Sequence, residues 1–167
     1  MPEGYSLSRG DLQSYLQKKE RVAELTQNIS VAKEQLAEVE RYMESISAVL
    51  TGMPNGNAKR DKVADIVVKM TNDRTRFTNI LHRHVEEQET LRYQLTVTRI
   101  AVLGIADERL RKIIEWHFLE GVDVTRMASK PYEGDDGVVR TLGLSVRGVR
   151  QKLQRYLKSL AYNNVKP

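Results

Sequence analysis

Arg147, Arg150, Gln151, Gln154 and Arg155 crowd into one short stretch near the end of the chain. A guanidinium or a primary amide can make two hydrogen bonds at once to the edge of a base, Arg to guanine and Gln to adenine. If Leu142 to Leu160 is helical, these side chains share one side. The other side holds Val149, Leu153, Tyr156, Leu157 and Leu160 at intervals of three and four, which makes an apolar face. Ser145 stands where its hydroxyl can cap the helix start, and Gly143 permits a tight turn into it. Such a helix is held to its domain by the apolar face and lays the other in the major groove. Arg147, Arg150, Gln151 and Gln154 form the expected DNA-facing side, with Arg150 and Gln151 the expected base readers. Arg155 and Lys158, further along, would meet phosphates. Ser145 and Arg140, at the entry, complete the expected DNA-binding set. The plain alternative is a solvated basic face on a core helix.

Charge separates along the chain in the same sense. The net charge is +5, from 27 basic and 22 acidic residues. Gly137 to Pro167 holds seven Lys or Arg and no Asp or Glu, so the remaining 136 residues carry 20 basic and 22 acidic groups, a net of −2. That is the electrostatic footprint of a nucleic-acid-binding end on a nearly neutral body.

Other chemistry is poorly signalled. There is no cysteine, hence no disulfide and no thiolate site. His82 and His84 are two apart and diverge on a helix, and His117 reads as a packing residue beside Phe118. Glu133, Asp135 and Asp136 lack the ligand spacing of a calcium loop and read as a solvated acidic loop within Lys130 to Gly137. No phosphate-cradling glycine loop or nucleophile elbow occurs. No enzyme activity, metal or cofactor is expected. The longest apolar run near the middle, Ile100 to Ala106, is too short to span a bilayer, and the amino terminus lacks a signal-peptide layout. The expectation is therefore no membrane and a location in the cytoplasm.

The elements that would position the basic helix are themselves helical. Val22, Leu25, Ile29, Ala32, Leu36, Val39, Met43, Ile46 and Leu50 are spaced 3,4,3,4 throughout, the seam of a coiled coil. Leu12 and Leu16 fall off that register. Thr51 to Arg60 is a Gly, Pro and Asn-Gly break, and Asp61 is placed to cap a second long helix. The seam of that helix runs Val63, Val67, Met70, Arg74, Phe77, Leu81, His84, Gln88, Leu91, Leu95, Thr98, Val102. It is more polar, and buried polar seam residues commonly fix register. Two such helices around one loop predict a long antiparallel hairpin over residues 1–103. Residues 104–167 form the expected helix-turn-helix domain. It opens with a helix capped by Asp107, with Trp116 at its edge, and ends in a frayed tail from Ala161. The predicted class is all-α.

Asp107 to Leu160 resembles the helix-turn-helix module of region 4 of bacterial sigma factors. The matching stretches are Glu108 to Ile114, His117 to Gly121, Leu142 to Ser145 and Val149 to Arg155. The sequence departs from that pattern between the two helices of the motif. Thirteen residues separate Ala128 from Leu142, where the family has a couple. Either the extra residues entered between those helices, or Val138 and Val139 take the place of Met127 and Ala128. The whole layout, with Met53-Pro54 and Asp61-Lys62-Val63, is similar to phage-encoded late-gene transcription regulators of the RinA and ArpU type. The resemblance implies a sequence-specific transcription activator. Its partners would be double-stranded DNA and bacterial RNA polymerase; the heptad seams, which do not distinguish an internal from an external partner, leave a homodimer through the hairpin open. The competing readings are a DNA-packaging protein like a phage small terminase subunit, and a coiled-coil scaffold without nucleic acid.

Overall fold

The structure, a computed structural model, describes the backbone of residues 7–50 and 57–163 and the side chains of residues 7–46 and 63–161. The chain adopts the expected all-α class, with one pair of two-residue strands added among the described residues. Helix α1 is Arg9–Leu50 and α2 is Asn57–Leu103. Helix α3, Glu108–Ile114, runs on into a π-helical turn, Glu115–Leu119. Then come α4 at Val124–Met127, β1 at Tyr132–Glu133, β2 at Val139–Arg140, and α5 at Val146–Asn163. Most of the break expected at Thr51 to Arg60 lies outside the described residues. Helix α2 already begins at Asn57, so Asp61 sits inside it and does not cap it.

The chain divides into two compact units, Arg21–Thr90 and Met1–Glu20 with Leu91–Pro167. In the first, the two long helices run antiparallel. Arg21 meets Glu87, with Nε to Oε1 at 2.8 Å, and Arg74 meets Glu40 at 3.4 Å. Leu25, Ile29 and Ala32 are buried on the seam, and Leu36, Val39, Met43 and Ile46 are half-buried. The second seam holds less well. Val67 and Arg74 are exposed, whereas Asp73 and Ile80 are half-buried. A straight α-helix drifts about 20° per heptad against a strict repeat, so a seam extended by sevens leaves the true contact face. Gln88 is buried at the seam. Its amide donates to Thr26 Oγ1 at 2.7 Å, and the Thr26 hydroxyl donates to the Val22 carbonyl at 2.8 Å. A satisfied polar pair of this kind is tolerated only in one register.

The second unit starts with a reciprocal cap. Asp11 N–H donates to Ser8 Oγ and Ser8 N–H donates to Asp11 Oδ2, both at 3.1 Å. Leu12, off the later seam register, is 1% exposed and joins a core with Val102, Ile113, Ile114, Met127 and Val149. It follows a different rhythm because it packs in a different unit. Asp107 caps α3 by accepting from Leu110 N–H at 3.0 Å. The π turn is closed by Glu120 N–H to Glu115 O at 3.1 Å. Gly121 leaves it at φ +71, and a Cβ there would sit 3.2 Å from Leu16 Cδ1. Trp116, expected at an edge, is instead buried, edge-on to Tyr132 at 5.8 Å. His117 packs edge-on against Phe118 at 4.7 Å.

Leu25, fully buried in the first unit, gives a direct check of the seam. Leu25→Ala should cost about 2–5 kcal/mol by loss of burial and the cavity left. Glu38→Lys, exposed on the same helix, should stay within about 0.5 kcal/mol. Denaturant unfolding followed by circular dichroism measures both, and equal losses would contradict the seam.

Candidate nucleic-acid interface

Helix α5 is built to show one side. Gly143, at φ +62, turns the chain into it. Ser145 Oγ accepts from Gly148 N–H at 3.2 Å, which caps the first turn. Val149, Leu153 and Leu160 are buried, and Tyr156 and Leu157 pack partly against the same core. Burial pushes the Tyr156 hydroxyl pKa up, as desolvation of its anion requires. Helices α3 and α4 both pack against α5.

Arg147, Arg150, Gln151, Gln154, Arg155 and Lys158 are all exposed. At 3.6 residues per turn they occupy an arc of about 140°, centred opposite the buried face, and extend about 16 Å along the axis. Among the described residues none of these four cations forms an ion pair. The arc thus presents free guanidinium and amide donors on a rigid support. The acid whose titration feels Arg150 is Asp123. Its pKa is lowered first by hydrogen bonds from the Thr125 hydroxyl and backbone, and to a smaller degree by the Arg150 charge.

Arg140 is placed differently. It lies on β2 and pairs with Asp136 and, at 3.5 Å, with Glu108. Arg111 of α3 pairs with Asp135 of the same loop, which holds its guanidinium pKa above the ordinary value. Strands β1 and β2 pair antiparallel, Tyr132 opposite Arg140 and Glu133 opposite Val139. The segment expected to be a free acidic loop is therefore a short hairpin clasped to α3 by alternating charges. Gly134 lets the clasp close tightly: a Cβ there would come to 2.8 Å from Asp136 Oδ1 and 2.9 Å from Glu108 Oε1, so both carboxylates would have to shift. Met127 is fully buried, while Val138 and Val139 are 52% and 71% exposed. Val138 and Val139 thus do not join Met127 in the core.

Sequence reasoning does not find the clasp, nor the tie between Lys152 and Asp107. Lys152 Nζ lies 2.6 Å from Asp107 Oδ2, joining α5 to the cap of α3. Asp107 serves both helices at once, Oδ1 as cap and Oδ2 as ion partner. No family model, curated protein or solved structure matches the chain. Among the described residues no group of His, Cys, Asp and Glu could hold a metal ion, and no helix is long and apolar enough to cross a membrane.

The Lys152 ion pair, then the Leu110 backbone bond, hold the Asp107 carboxyl below its ordinary pKa of 3.8. A depressed native pKa contributes stability that is full above the unfolded value and is lost as pH falls through the native one. Lys152→Met should therefore move the Asp107 titration up toward 3.8, as read by carboxyl-carbon NMR. It should also flatten the acid limb of the stability curve below about pH 4. An unmoved titration would mean that the pair contributes nothing in solution.

Proposed function

We propose that the protein is a sequence-specific DNA-binding transcription regulator in which α5 enters the major groove. The observation that carries this reading is the free Arg and Gln arc on α5, set opposite a captured apolar face. Guanidinium and amide groups are the usual readers of guanine and adenine edges. In this reading Arg147, Arg150, Gln151 and Gln154 meet bases, and Arg155 and Lys158 position the phosphate backbone. Ser145 sets the start of the helix, and Arg140 braces the hairpin that precedes it.

The setting we propose is a phage promoter in a bacterial cytoplasm, where the protein activates late genes with the host RNA polymerase and pairs with a second copy through the helical hairpin. The support for that setting is the sigma-like and late-regulator motifs of the sequence. The clustering of seven cations after Gly137 supports contact with a polyanion, and its consequence is strong salt dependence through counterion release.

The test is a salt titration on duplexes selected from a random library. Against the selected duplex, Arg150→Ala or Gln151→Ala should lose affinity and narrow the margin over a scrambled duplex, by about 1–3 kcal/mol of discrimination. Arg155→Ala should weaken both duplexes alike and reduce the salt slope by about 1. If neither Arg150→Ala nor Gln151→Ala changes the ratio between duplexes, α5 is not the reader.

A further inference from the structure

Helix α2 carries a face that its own unit leaves open. Between Leu91 and Leu103 the inward side is well buried: Val97, Thr98 and Val102 are at most 5% exposed. On the outward side Tyr93, Ile100 and Leu103 are 64%, 42% and 50% exposed. With Thr96 they fall within an arc of about 80° and run about 15 Å along the helix. Thr96 adds to the apolar character. Its hydroxyl donates to the Arg92 carbonyl at 2.8 Å, so its one donor is used within the helix. Arg92 and Arg99 border the stripe on one side, both exposed. No Asp or Glu occurs from Leu91 to Ala106. A contiguous exposed apolar stripe rimmed by charge marks a docking surface, and Tyr with Arg is the composition of binding hot spots.

The chemistry selects the occupant. A phosphate backbone would gain nothing from Tyr93, Ile100 and Leu103. A second copy of the same face would bring Arg92 and Arg99 against like charges, which costs free energy in a partly desolvated interface. A helix with its own apolar ridge and a flank of Glu or Asp satisfies both parts of the stripe. We propose that this stripe of α2 docks an acidic amphipathic helix of another protein. The inference does not depend on the DNA reading of α5, since it uses a different element and a different ligand.

A synthetic fluorescein-labelled peptide provides the probe, with Leu at i, i+3, i+4 and i+7 and Glu on the flanking positions. Anisotropy titrations use the full-length chain. The Glu-flanked peptide should bind, and a Lys-flanked version with the same Leu pattern should not. Ile100→Gln and Tyr93→Ala should each weaken binding by about tenfold. Arg92→Ala should weaken it and flatten its salt dependence. Both apolar variants should keep the wild-type melting temperature, because the side chains are exposed. Failure of the Glu-flanked peptide to bind, or equal binding of the Lys-flanked peptide, would overturn the proposal. So would an Ile100→Gln variant that binds as wild type, or a wild-type dimer that Ile100→Gln converts to monomer in sedimentation, which would make a second copy the occupant.

Discussion

The burial of one side of α5 is the constraint on which its exposed Arg and Gln arc depends. Val149 is fully buried, and Leu153 and Leu160 nearly so. They share a core with Ile113 and Ile114 of α3 and Met127 at the end of α4. Removing those apolar groups from water is the favourable term, and it acts without direction. Direction comes from the caps. Ser145 fixes where α5 starts, and Asp107 fixes where α3 starts while its second carboxylate oxygen holds Lys152 of α5. Together these decide which side chains stay in water, and those are the Arg and Gln side chains of the arc.

The clasped hairpin answers a different problem. The segment between α4 and α5 holds a strand pair, which would be a source of slack if it were free. Arg111, Glu108, Asp135, Asp136 and Arg140 convert it into a braced element. Tyr132 anchors its base in the core against Trp116, and Lys130 lies 4.8 Å from the centre of the Trp116 ring. Single exposed ion pairs contribute little, and several charges joined in a network contribute more. The gain is positional: the chain reaches Leu142 and Gly143 along a set course before α5 begins.

Much of this is legible in the sequence, for identifiable reasons. The first seam is readable because apolar residues rarely keep a 3,4 rhythm over four heptads unless a partner helix buries them. Leu25, Ile29 and Ala32 are buried as that pattern requires. The two-faced character of α5 and its Ser145 cap are readable because both are local. A strict heptad fails on the second seam at Val67 and Arg74, since periodicity alone does not record how far a helix drifts. Trp116 is misplaced by sequence because Tyr132 of β1 and Lys130 pack against its ring, contacts that no local motif announces. The clasp joins positions 24 to 32 apart in the chain, as Arg111 to Asp135 and Glu108 to Arg140 do. One sequence gives charges, not their partners, so Arg140 reads as a free cation and Asp135 as a solvated acid. Leu12 stands out of register with the first seam, and its burial in the other unit is the reason.

The absence of cysteine from the chain makes the central claim directly measurable. A single cysteine at Gln151, carrying a tethered iron-EDTA cleaver, reports what that face of α5 touches. A second variant with the cleaver at Glu38, exposed on α1, is the control. With duplex selected by the full-length protein, cleavage from position 151 should be confined to a few adjacent nucleotides across one major groove, and position 38 should give none there. Diffuse or absent cleavage from position 151, on a duplex the protein still binds, would contradict the assignment of α5 as the element that reads DNA.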